Sequence, residues 1–185
     1  MFIHRLLYCS DAALAGPPED VERQVLEMVE AARAANAAAD VTGAILLSSG
    51  VFMQVLEGPI DAVETTFERI CSDLRHKRVR LVELAVAEDR VFEGWSMVRV
   101  PPPPEAARLC PAPGAGEGAR LDAASASAAI EMMSAAAGKL LAGDGLEPVG
   151  HGTASTNPAE PRAPRWANSM PVTADYGCIR QPDIA

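Results

Sequence analysis

Four consecutive prolines, Pro101 to Pro104, divide the chain. Each lacks a backbone N–H and fixes its own φ, and each pushes the residue before it into an extended conformation. No helix interior and no central strand runs through such a stretch, so whatever folds before residue 101 folds without crossing it. Residue use changes at the same place. Six of the aromatic residues lie at or before Trp95, whereas twelve of the fifteen prolines lie after residue 100. The expected organisation is a folded domain over 1–100, a Pro/Gly-rich linker over 101–120, a C-terminal helix over 121–141 and a disordered tail over 142–185. For the helix, Asp122 is the expected N-cap, and Ile130, Met133, Ala137 and Leu140 or Leu141 form a weak apolar stripe. Such a helix either covers a sheet face of the domain or offers a surface to a partner.

Within the first hundred residues, hydrophobic periodicity gives the order of elements. Phe2 to Ser10 is short and apolar, and strand alternation puts Phe2, His4, Leu6 and Tyr8 on one pleat face. Gly16-Pro17-Pro18 is a turn, and Pro18-Glu19-Asp20 opens a helix with proline early and acids in the first turn. Val21, Val25, Met28, Val29 and Ala32 are its apolar stripe, and its end is expected near Asn36. Val41 to Leu47 and Val51 to Glu57 read as strands joined by the hairpin signal Ser48-Ser49-Gly50. A second helix opens at Pro59-Ile60-Asp61, carries the stripe Ile60, Val63, Phe67, Ile70 and Leu74, and ends in Arg75-His76-Lys77-Arg78. Two more strands follow, Arg80 to Ala87 and Trp95 to Val100. The order β-α-β-β-α-β-β predicts an α+β fold, a ferredoxin-like sandwich of two helices on one face of a mixed five-stranded sheet.

Several function classes fall away. The net charge of −9 argues against nucleic acid or anionic lipid as the partner. No stretch reaches the roughly 18 apolar residues of a membrane span. His4, Arg5 and Asp11 interrupt any apolar leader before Ala13-Leu14-Ala15, so secretion is not expected. Cys9, Cys71, Cys110 and Cys178 lack Cys-x-x-Cys spacing, and with three scattered histidines they offer no metal site. Reduced thiols in the cytoplasm are the expectation. The nucleophile elbow, the Walker loop and the His-Glu-x-x-His signature are absent. Gly114 to Ala119 fits a loose Gly-x-Gly-x-x-Ala string, but it follows Cys110-Pro111-Ala112-Pro113 rather than a strand, which argues against dinucleotide binding. The acids are spread along helix faces and loops and read as solvated surface, with no matched pair for acid–base catalysis, and the chain is not expected to be an enzyme. The basic run at 75–78 reads as favourable charge at a helix C-terminus or as a phosphate contact.

Three polar residues planted in apolar segments carry more information. Tyr8 lies in the first strand. Gln54 shares a pleat face with Phe52 and Leu56. Asn36 ends the first helix. Each has an ordinary reading alone: a half-buried strand tyrosine, an edge-strand surface glutamine, a helix C-cap. A glutamine buried in a central strand, however, costs about 1–3 kcal/mol unless its amide finds partners. Its carbonyl accepts and its amino group donates, so it can bridge a phenol on one side and a heteroaromatic ring on the other.

Taken together with their surroundings, these residues resemble the BLUF family of blue-light sensors using FAD, over about residues 2–100. The matching stretches are Ile3-His-Arg-Leu-Leu-Tyr-Cys-Ser10, Asn36 with Val41-Thr-Gly-Ala-Ile-Leu-Leu47, and Phe52-Met-Gln-Val-Leu-Glu-Gly58. Asp73-Leu-Arg-His76 and Phe92-Glu-Gly-Trp-Ser-Met97 complete them. The resemblance implies a non-covalent FAD whose ring lies between the two helices against the sheet, with FMN or riboflavin as substitutes. It implies that Tyr8 donates an electron and a proton to the excited flavin, that Gln54 links Tyr8 to the ring and rearranges after light, and that Asn36 bonds the ring edge. Trp95 and Met97 match strand residues that shift near the glutamine and pass the signal outward. Arg75 and His76 match a pair near the ribityl-phosphate portion. Position 35 is alanine where many relatives carry a second polar residue, which removes one hydrogen bond. Strand alternation points Cys9 to the opposite face, away from an adduct with the ring.

The expected output is a population shift in the last strand, read by a protein partner or a second copy of the chain (a homo-oligomer). Two readings from other classes compete. A ferredoxin-like regulatory or ligand-binding module without photochemistry predicts a colourless protein. A flavin electron carrier predicts turnover with a reductant.

Overall fold

The computed structural model of the protein describes residues 2–109 and 123–144. Its elements in chain order are β1 (Ile3–Ala12), α1 (Pro18–Ala38), β2 (Thr42–Ser48), β3 (Val51–Gly58), α2 (Ile60–Cys71), β4 (His76–Ala87), β5 (Val98–Arg99), α3 (Ala106–Leu109) and α4 (Ala123–Asp144). The five strands form one sheet in the order β4-β1-β3-β2-β5, antiparallel throughout except that β5 runs parallel to β2. This is the ferredoxin-like arrangement with a fifth strand at one edge. β1 and β3, which carry Tyr8 and Gln54, are interior strands. The hairpin between β2 and β3 turns through Ser49 and Gly50, both at positive φ, as a right-twisted two-residue turn requires. Gly43 is required by close approach, because a Cβ there would lie 2.0 Å from Val55 O on β3.

Strand alternation divides the core in two. Leu6, Tyr8, Phe52 and Leu56 face α1 and α2, and join Val25, Met28, Val29, Val63 and Phe67. Leu7, Cys9, Met53 and Val55 face the other way and join Ala126, Ala129, Ile130, Met133 and Ala137 of α4. The C-terminal helix therefore covers the second sheet face, packing Ile130, Met133, Ala137 and Leu140 of the expected stripe together with Ala126 and Ala129, which the expected stripe did not include. The expected cap Asp122, most of the linker and the tail beyond residue 144 lie outside the described residues, and residues 142–144, expected in the tail, continue α4. Within the linker, α3 makes one short turn after the prolines.

Four readings of the sequence need correction. α1 continues to Ala38, so Asn36 is no C-cap; it is buried inside the last turn, and the left-handed residue is Asp40. α2 stops at Cys71 rather than running through Leu74. Asp73 Oδ1 accepts from the backbone N–H of Arg75 at 2.9 Å, and this local bond turns the chain out of the helix. Leu74 is consequently exposed, and the basic run forms a turn and the start of β4 instead of a helix end. β5 spans only two residues, because the carbonyls of Ser96 and Met97 go to side chains of α1. The acids are not all solvated surface: Asp11, Glu57 and Glu64 are buried. Glu57 accepts from Arg5 Nε at 2.6 Å and from the N–H groups of Val91 and Phe92, so it anchors the connection from β4 to β5.

Candidate functional site

Tyr8 and Gln54 are direct cross-strand partners in the β1–β3 register. The Tyr8 hydroxyl donates to Gln54 Oε1, and Gln54 Nε2 donates to Met97 Sδ at 3.7 Å. All three side chains are buried. Burial against the apolar core pushes the Tyr8 phenol well above its ordinary pKa, aided by the nearby Cys71, Cys9 and Asp73. The phenol is therefore held protonated, with its proton committed to the glutamine. Its ring sits 5.5 Å from Phe67 and 6.0 Å from His76. Beside it, the pairing of β1 with β4 slips in register between Leu7 and Tyr8, the kind of irregularity that re-aims a side chain.

The amide of Gln54 forms part of the floor of a cleft of about 750 Å³ between α1 and α2. Met28, Val29, Ala32 and Ile70 give it apolar walls, and Ile45 and Met97 share the floor. A thioether is a weak acceptor, so the Gln54 amino group keeps donor capacity for a stronger acceptor in the cleft. Asn36 also lines it. Its Nδ2 donates to Ser96 O at 2.8 Å and its Oδ1 accepts from Arg69 Nη2 at 3.3 Å. Ala35 leaves room where a larger side chain would stand. Flat apolar walls with two amides on the floor suit a ring that is apolar on its faces and polar at its edge.

His76 closes one side. Its Nδ1 lies 2.8 Å from Ser10 Oγ and its ring 4.8 Å from Phe52. Desolvation is the main reason its pKa falls to about 4, with Asp73 opposing and Arg75 reinforcing that shift. It is neutral at pH 7 and bonds rather than bearing charge. Arg75 is held by Asp73, whose carboxyl lies below its ordinary range chiefly because the Arg75 side chain bonds to it.

The structure brings Gln54, Asn36, Met97, Arg75 and His76 to one cleft, with Tyr8 behind Gln54 rather than lining it. Trp95 is elsewhere: it packs against the α4 side of the sheet, opposite Gln54. Sequence reasoning missed Arg69, which lines the cleft and bonds Asn36. Its place in the last turn of α2, three residues past Thr66, was the available signal. Among the described residues no group of three or more His, Cys, Asp or Glu side chains could hold a metal, and no helix is long and apolar enough to cross a membrane.

A family model described as sensors of blue-light using FAD matches residues 3–98. The chain is 37% identical over 87 residues to the photoactivated adenylate cyclase subunit alpha of Euglena gracilis, a match covering 47% of this chain and 8% of that relative. It therefore spans less than a tenth of the length of that protein. Among solved structures, the dark state of BlrB, a BLUF protein, is 28% identical with a TM-score of 0.56, over 74% of this chain and 97% of that one. The ground state of BlsA, at 22% identity, has a TM-score of 0.60 over 71% of this chain and 87% of its own, and shows the shared fold.

Proposed function

The chain belongs to the BLUF family of blue-light sensors using FAD, and from that membership we propose that Tyr8, Gln54 and Met97 form its light-driven hydrogen-bond switch. The observation that carries this reading is the unbroken run from the Tyr8 hydroxyl through both ends of the Gln54 amide to Met97, at the floor of the cleft. The residues fit the group: the walls are apolar, the Gln54 amino group has a hydrogen to spare, and Asn36 presents a second amide. Asn36 and Gln54 would hold the ring edge, and Arg75 and His76 would stand toward the ribityl-phosphate portion.

When bound, the flavin supplies absorption of blue light and the oxidising power of its excited state. The chain supplies the rest. Tyr8 holds an ionisable proton and an oxidisable phenol within one hydrogen bond of Gln54. Rotation or tautomerisation of the Gln54 amide exchanges its donor and acceptor ends, so one bonding pattern replaces another without any new bond to the protein. The two patterns need differ by only a few kcal/mol for the dark one to dominate. Met97 changes partners with the amide and carries the change into β5. Trp95, two residues earlier and on the other sheet face, carries it toward α4.

The same reading has the domain act as a sensor without its own catalysis, in the cytoplasm, signalling to a protein partner or a second copy through β5 and α4. The test is an absorption spectrum of the purified protein, reconstituted with FAD, before and after blue light. The expected result is a flavin spectrum that shifts slightly to the red and relaxes in the dark. A flavin that only bleaches marks an electron carrier, and a protein that takes up no flavin marks a regulatory module; either result overturns the switch.

A further inference from the structure

β5 contributes two residues to the sheet, opposite Ala44 and Ile45 of β2, and two more backbone bonds flank it, from Val100 N to Ile45 O and from Gly43 N to Trp95 O. Between Trp95 and Val98 the carbonyls are held by α1. Asn36 Nδ2 donates to Ser96 O at 2.8 Å, Arg33 Nε donates to Met97 O at 2.9 Å, and Arg99 Nη2 donates to Glu22 Oε2 at 2.6 Å. Along the helix these residues run 22, 33, 36, and along the strand 99, 97, 96. Three side-chain rungs thus join the last strand to α1 in antiparallel order.

Arg33 is the rung that grips Met97. It holds the Met97 main chain while the Met97 sulfur accepts from Gln54. Its side chain is 45% exposed, and its bridge to Glu30 at 3.1 Å is a surface pair that contributes little. We propose that Arg33 is a positioning residue that latches Met97 onto Gln54, and that this latch sets how fast the lit arrangement returns to the dark one. The inference rests on the photoreceptor reading above.

The reasoning is mechanical. A rearranged Gln54 amide no longer offers Met97 the same hydrogen, so Met97 must move. With the carbonyls of residues 96 and 97 tied to α1, it moves either by turning its side chain alone or by parting the rungs. A bond donated by a guanidinium is charge-assisted and stronger than the neutral backbone bonds of a two-residue strand. Arg33 therefore favours the arrangement with Met97 seated on Gln54, which is the dark one. Seating Met97 is part of the step back to the dark arrangement, so removing the bond that seats it raises the barrier from the lit arrangement, and the return slows.

The experiment uses the full chain loaded with FAD. Dark recovery after a blue pulse is followed in the wild type, Arg33→Ala and Arg33→Lys, and amide exchange over residues 95–100 is measured in the dark. Loss of one charge-assisted bond is expected to slow recovery about tenfold in Arg33→Ala. The size of the red shift should be unchanged and exchange over 95–100 faster, while Arg33→Lys, which keeps a cationic donor, recovers most of the rate. Recovery in Arg33→Ala within about twofold of wild type, with unchanged exchange, overturns the latch. So does a slowed Arg33→Ala that lysine does not restore. A wild type without any reversible shift instead removes the photoreceptor reading, and the latch with it.

Discussion

On one face of the sheet β1 and β3 present Leu6, Tyr8, Phe52, Gln54 and Leu56; on the other the alternate residues Leu7, Cys9, Met53 and Val55. The strands are the same, and only the pleat differs. The second face is closed by α4, whose small residues Ala126 and Ala129 let it lie against the strands while Ile130 and Met133 fill between them. The first face is not filled. Small side chains at Ala32 and Ala35 on α1 leave a cleft over Gln54, and the polar pair Tyr8–Gln54 lies under it. A buried amide and phenol are costly unless satisfied, so their placement on the face that keeps space is the mark of a binding site. One face thus supplies cohesion and the other the cleft on which the proposed switch rests.

Substitutions on the two faces should separate these roles. The largest effect is expected from Gln54→Leu, which keeps the volume but removes both ends of the amide. It should abolish the light-induced shift while the protein still folds, checked by difference absorption and thermal unfolding. On the opposite face, Met133→Ala should do the reverse. It opens a cavity under α4 and costs about 3 kcal/mol of stability, read by denaturant unfolding, with the shift retained. Loss of the shift in that variant would mean that the faces are not separable.

A smaller effect concerns His76. Its folded pKa of about 4 lies below the unfolded value of 6.5, so its contribution to stability is present above 6.5 and is lost as pH falls toward 4. At pH 5 the loss should be about 2 kcal/mol relative to neutral pH. Unfolding free energies of wild type and His76→Gln across that window measure it, and the variant should lack this component. Equal pH dependence in both would show that His76 does not bear its share.

Much of the switch face was legible beforehand. Alternation placed Tyr8 with Leu6, and Gln54 with Phe52 and Leu56, but the link between Tyr8 and Gln54 came only from the family resemblance, because alternation sets a face and not the register that makes them cross-strand partners. What was not legible depended on contacts distant in sequence. Arg33 and Arg69 look like ordinary helix-surface cations until the chain folds, and only then meet Met97 O and Asn36 Oδ1. Glu57 fell among the acids read as solvated surface, yet it is buried because Arg5 and two backbone N–H groups satisfy it. Leu74 continued a helical stripe by spacing, but the local bond from Arg75 N–H to Asp73 competed with the helix and won. Periodicity reports which face a residue occupies; it does not report which long side chain will reach across to a backbone carbonyl.

The most direct test of the account is the light-minus-dark spectrum of Tyr8→Phe beside that of the wild type, both loaded with FAD. Removing one buried oxygen leaves the cleft lining intact, so the variant should bind flavin as before and show no red-shifted state after blue light. A full red shift with wild-type recovery in Tyr8→Phe would contradict the claim that the phenol drives the Gln54 switch.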